Sequence, residues 1–196
     1  MPNVSRPWFL VLVPLTAFPV LASAQVPAPE RQIAWAVAPA PERMRADATV
    51  LGYAPDGKLV TLRSGSGALI CLADDPKEPN HHVSCYFKEL EPYMARGREL
   101  RAQGLKRPQI DSARMAEIKS GTLKLPAQPA LLYQLIAPAG SVDSTTGEVK
   151  GARSMWVVYI PYATAEATGL SAVPVKGGPW LMDPGMPWAH IMIVPQ

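Results

Sequence analysis

The chain of 196 residues sets 19 lysines and arginines against 16 aspartates and glutamates, a formal net charge of +3. That balance is too mild to hold nucleic acid by its field, while 48% hydrophobic residues suffice for one folded core at this length. Twenty-two prolines point to short strands and many turns and exclude long uninterrupted helices.

Residues 1–24 read as an export leader. Arg6 precedes an apolar run over 8–22, and Ala22-Ser23-Ala24 forms a small-residue cleavage site before Gln25. The run falls short of the about 20 residues a membrane span needs, and Pro14 and Pro19 interrupt it. The expectation is an exported chain, periplasmic or secreted, with no stable membrane insertion once the leader is gone. Residues 25–46 follow as an N-terminal arm and connector: 25–30 an arm, 32–37 an apolar strand or short helix, 42–45 at most one helical turn. A single domain is expected over 47–196.

Residues 49–53 and 58–63 are rich in β-branched side chains and flank Ala54-Pro55-Asp56-Gly57. Proline presets one turn angle and Asp-Gly supplies the positive φ of a tight hairpin. Period-two alternation directs Val60 and Leu62 toward a core. Ser64-Gly65-Ser66-Gly67 lacks the Gly-Lys-Ser/Thr of a phosphate loop and the spacing of a nucleophile elbow. It reads as a flexible turn. A strand over 68–72 carries Cys71, a polar loop spans 74–80, and 84–87 carries Cys85. Two cysteines in an exported chain pair as one disulfide. The alternative is a zinc site from Cys71, His81, His82 and Cys85. Adjacent His81 and His82 would diverge in extended backbone, which argues against it.

Helices are predicted over 91–103 and 109–120. Pro92 and Pro108 suit helix starts, and Gly104 and Gly121 suit positions just past the ends. Arg96, Arg98, Arg101, Lys106 and Arg107 form a basic cluster, read as a solvated face partly offset by Glu91 and Glu99; the alternative is a surface for phosphates or anionic lipid. Leu123 to Leu125 is short and extended. Residues 130–137 make a buried strand between prolines, 140–153 a flexible loop, and 154–161 the strongest strand. Thr164 and Gly169 bracket one helical turn. Strands are expected over 180–182 and 190–194 around an Asp183-Pro184-Gly185 turn.

The ending holds Gly178, Pro179, Met182, Gly185, Pro187, Ala189, His190 and Met192 in the order Gly-Pro-x-x-Met-x-x-Gly-x-Pro-x-Ala-His-x-Met. With the early Gly-rich loop and Cys71, this resembles a loose group of exported bacterial proteins of uncharacterised function. The resemblance covers about a quarter of the chain, leaves the two helices unmatched, and carries no catalytic role.

His190 lies in an apolar run with Met186, Trp188 and Met192. A lone histidine there is first a hydrogen-bonded core side chain. The alternatives are a pocket that includes Met182 and Asp183, or a copper site built from thioether and imidazole. Whether the chain is an enzyme stays open. A binding or structural module with no cofactor is expected, because no nucleophile–base pair or carboxylate pair stands out. The alternative is a copper- or zinc-binding protein, or an enzyme, using His190 with His81, His82, Tyr159, Tyr162 or Asp183. The fold expected is α+β, a mainly antiparallel sheet with the two helices of 91–120 packed on one face.

Overall fold

The structure is a computed structural model that describes residues 26–143 and 145–195. The leader expected over 1–24 lies outside the described residues.

Eight strands form one sheet: β1 Thr49–Tyr53, β2 Leu59–Arg63, β3 Leu69–Leu72, β4 His81–Phe87, β5 Ala130–Ala137, β6 Arg153–Tyr159, β7 Trp180–Met182 and β8 His190–Ile193. Their spatial order is β2-β1-β3-β4-β5-β6-β8-β7. Every neighbouring pair is antiparallel except β1 with β3, which run parallel with Val50 beside Cys71. The sheet is therefore mixed, and the fold is α+β.

The β1–β2 hairpin closes as its turn residues dictate. Gly57 sits at φ 76°, and its N–H donates to Ala54 O at 2.7 Å. Asp56 Oδ1 accepts from Lys58 N, and Lys58 holds the Asp56 carboxyl below the usual carboxylate range. Val60 does not reach a core: β2 is an edge strand, and Val60 stays 38% exposed. Leu62 is half-buried and reaches toward Gly52 on the side of the first helix.

Strand alternation sorts the core into two layers. Val50, Leu69, Cys71 and Cys85 share one face and pack with Ala36 and Ala40. Those alanines belong to α1, Pro29–Ala36, and to the link into α2, Glu42–Arg45. The stretch expected as an arm and connector thus folds as two short helices that supply part of the core. Gln32, only 3% exposed, fixes α1 to the sheet. Its Nε2 donates to Tyr53 O at 2.9 Å, and its Oε1 accepts from Tyr53 N at 2.7 Å. The side-chain amide completes β1 as a neighbouring strand would, so no buried polar atom of Gln32 is wasted.

Cys71 and Cys85 face each other across β3–β4 and are bonded, with Cα atoms 4.0 Å apart.

The opposite face carries Ile70, Tyr86, Leu132 and Val157. Over it lie a 3-10 turn, Lys88–Leu90, then α3, Glu91–Ala102, and α4, Arg107–Lys119. Leu90 is fully buried there. Gly104 and Gly121 take φ of 86° and 76° just past the two helix ends. Leu123 to Leu125, expected as extended, joins no strand; Leu123 packs with Tyr93 and Trp188. Helices thus cover both sheet faces. Tyr86 Oη donates to Glu91 at 2.6 Å and accepts from Arg98 at 2.7 Å, while Arg98 also reaches Glu91 at 2.8 Å. This closed triangle ties α3 to β4. Arg96 forks onto Glu117 of α4, with its shortest contact 2.6 Å. Much of the basic cluster is therefore consumed by internal ion pairs. A single turn, α5 Ala165–Thr168, is capped by Thr164 Oγ1, which accepts from Ala167 N, and ends at Gly169, φ 69°.

Candidate functional site

The three histidines do not converge. His81 and His82 occupy successive β4 positions and so point to opposite faces. His82 pairs with Ile136 at one end of β5, whereas His190 pairs with Tyr159, which pairs with Ala130 at the other end. Six residues of strand separate those levels, about 20 Å. Among the described residues, no group of three or more His, Cys, Asp or Glu side chains could hold a metal ion. Cys71 and Cys85 are spent on their bond.

His81 is 3% exposed. Its Nδ1 lies 3.0 Å from Asp74 Oδ2, and Asp74 Oδ1 accepts from His82 N at 2.8 Å. The ring meets Trp35 edge-on, with centroids 5.5 Å apart. The imidazole serves as packing between β4 and α1, with its Nε2 buried and unpartnered.

His190 is half-buried. Its Nδ1 lies 2.8 Å from Trp188 O, a carbonyl that can only accept, so Nδ1 carries the proton. The ring stacks on Tyr159 at 5.1 Å, and Tyr159 leans on Tyr93 at 6.1 Å. Burial raises the pKa of both phenols. Arg114 of α4 completes the row. Its Cζ stands 3.9 Å from the Tyr93 ring centroid, and its Nη2 donates to Tyr93 O at 2.6 Å. Burial lowers the Arg114 pKa. Arg114, Tyr93, Tyr159 and His190 thus form one stack from α4 through α3 and β6 to β8. Gly97 makes room for it: a Cβ there would lie 1.7 Å from Arg114 Nη2.

The stack stands behind a cleft of about 610 Å³ between α4 and the segment joining β7 to β8. This lies within the range of small-ligand sites. On α4, Arg107, Asp111, Met115 and Lys119 line it at successive i, i+4 positions, which puts them in one row along the helix. Asp183, Met186 and Trp188 form the facing wall. Backbone bonds fix that wall. Ile160 N donates to Ala189 O, Tyr162 N to Met186 O, and Gly185 N to Ala163 O, at 2.9, 2.9 and 2.7 Å. Asp183 and Tyr162 accept positive φ of 51° and 63° to make this possible. Trp188 is 6% exposed and packs into the core with Tyr93 and Leu123.

The charges of the cleft are unevenly satisfied. Arg107 Nε donates to Asp111 Oδ2 at 2.7 Å. That bond first, and more weakly the charges of Asp111 and Asp183, raise the Arg107 pKa. Asp111 Oδ1 is buried without a donor. Among the described residues, neither Asp183 nor Lys119 makes a side-chain hydrogen bond or ion pair. Ser112 Oγ donates to Pro108 O, which occupies it within its own helix. No histidine or cysteine lines the cleft.

Of the residues expected around a pocket, Met186 and Asp183 line the cleft. His190 stands behind it in the stack. Met192 packs against the sheet core, and Met182 is exposed on β7 opposite His190. Tyr162 is also exposed. The α4 residues were missed as site candidates. Their signal was the row Arg107, Asp111, Met115 and Lys119 at i, i+4 spacing, which sets charges of both signs around a thioether that also packs against the core.

No protein-family model, curated protein or solved structure matches this chain. No helix among the described residues is long and apolar enough to cross a membrane.

Proposed function

We propose that this chain is an exported, non-catalytic binding module whose ligand occupies the cleft between α4 and the β7–β8 segment. One observation carries it: the cleft pairs apolar walls, Met115, Met186 and Trp188, with polar groups whose bonding is incomplete, Asp111 Oδ1, Asp183 and Lys119. Such a surface gains little from staying open to water and offers both contact area and direction to an amphipathic guest. The cleft lacks a nucleophile with a base beside it, which favours binding over turnover. The bonded cysteines fit export to an oxidising compartment, as does the resemblance of the C-terminal segment to exported bacterial proteins.

The test uses carbon-13 labelling of the methionine methyl groups and titration with indole-3-acetate and phenylalaninol as amphipathic probes. The Met115 and Met186 signals should shift together and saturate, with Met44 unmoved. Met115→Glu should abolish the response at Met186. Shifts scattered over all methionines, or none, would overturn the proposal.

A further inference from the structure

Resting on that cleft reading, we infer that the guest is a short apolar peptide with free termini, its ammonium at the Asp111–Asp183 end and its carboxylate at Lys119. The cleft is polarised along α4. At one end a single guanidinium, already bonded to Asp111, faces two carboxylates. Asp183 makes no side-chain hydrogen bond or ion pair among the described residues, its charge reaching Arg107 only at longer range, and Asp111 Oδ1 lacks a donor. Arg114 lies behind Asp111, engaged with Tyr93, and does not line the cleft. At the other end stands Lys119, exposed and unpaired among the described residues. Between the ends lie Met115, Met186 and Trp188, with no charge.

An ammonium suits the first end because it brings several donors for the Asp183 carboxylate and a positive charge beside that of Asp111, whose Oδ1 is itself closed to solvent. A carboxylate suits the second because Lys119 is a lone, flexible cation. From Asp111 to Lys119 is eight residues of helix, about 12 Å. Extended backbone covers that span in three to four residues at about 3.3 Å each. A single free amino acid would be too short to reach both ends. A longer chain would carry its carboxylate past Lys119. The thioethers and indole accept varied apolar side chains, so length and termini would set the selection more than sequence.

The experiment is equilibrium dialysis of the full chain against a tripeptide library built from Leu, Met, Phe and Ala, supplied with free termini, N-acetylated or C-amidated. The free library should bind. Acetylation should weaken binding about tenfold or more, since it removes a charge-assisted bond, and amidation should weaken it by a smaller factor. Asp183→Asn should reduce affinity for the free library and leave the acetylated one unchanged. Asparagine tolerates positive φ, so this variant keeps the local backbone. Lys119→Gln should do the same for amidation. Equal affinity for free and acetylated libraries would overturn the peptide assignment. If the amphipathic probes still moved Met115 and Met186 in that case, the binding cleft would stand without it. If neither probes nor peptides bound, both would fall.

Discussion

Arg114 is held by contacts that a single methyl group would break. It donates to Tyr93 O and stands over the Tyr93 ring because Gly97 leaves the space open. Gly97→Ala has two opposed effects. Alanine favours the helix by about 1 kcal/mol. Displacing Arg114 forfeits a charged hydrogen bond worth about 1.5–3 kcal/mol and a cation–π contact of about 0.5–2 kcal/mol. The loss wins, and Gly97→Ala should destabilise the fold by about 1–4 kcal/mol in urea denaturation. In an Arg114→Ala background the clash is gone, and the same change should become neutral or stabilising. Equal effects in both backgrounds would show that the guanidinium is not what glycine accommodates. Nothing in the local sequence of α3 announced this, since Gly97 there simply lowers helix propensity.

Beside the Arg114–Tyr93 contact, α3 is tied to α4 by the fork from Arg96 to Glu117. The hydrogen bonds from Arg96 pull the Glu117 pKa below its ordinary value. A lowered carboxylate pKa means the folded state binds a proton less readily than the unfolded one. Stability from this pair is therefore complete above the ordinary glutamate value, about 4.3, and is lost as pH falls through the folded value. Glu117→Gln should flatten part of the acid limb of a stability-versus-pH curve and leave the slope near neutrality unchanged. An identical acid limb would remove the pair from the list of contributors. Elements of this kind were partly legible. Pro92, Gly104, Pro108 and Gly121 marked both helices, and Pro55 with Gly57 marked the hairpin, because these residues act through their own backbone angles. The helical state of 29–36 was not legible. The run Ile33-Ala34-Trp35-Ala36 lacks a capping side chain, and its helix is stabilised by Gln32 reaching Tyr53 and by Trp35 Nε1 donating to Gly147 O, contacts distant in sequence.

Across the whole molecule, the Cys71–Cys85 bond joins strands already paired at the centre of one core layer. It closes a loop of 14 residues' separation, for which chain entropy gives about 3 kcal/mol. Replacing both cysteines with alanine should lower stability by about 2–4 kcal/mol while keeping the fold, measured as a lower urea midpoint with a slope equal to or steeper than that of the bridged chain, whose unfolded state is more compact. An unmoved midpoint would mean the sheet alone restrains the unfolded chain. The pairing was legible because two cysteines allow one partner each. The parallel β1–β3 contact and the edge position of Val60 were not, since strand order depends on which surfaces α1 and α3 cover. The cleft was invisible for a related reason: residues 107–119 and 183–188 share no local pattern and meet only through the sheet.

The strand order has a consequence for how that cleft comes into being. From β3 to β6 each new strand is laid beside the one before it, and the last two are added as a hairpin with β8 innermost. A polypeptide threaded out of a narrow pore amino end first could zip up in that sequence, and its first 177 residues would present α4 to an empty flank. Receptivity would then arrive only with the final residues, which also bring Leu181, Trp188 and Ala189 to the core, so a prematurely stopped chain would lack its cleft together with part of its packing.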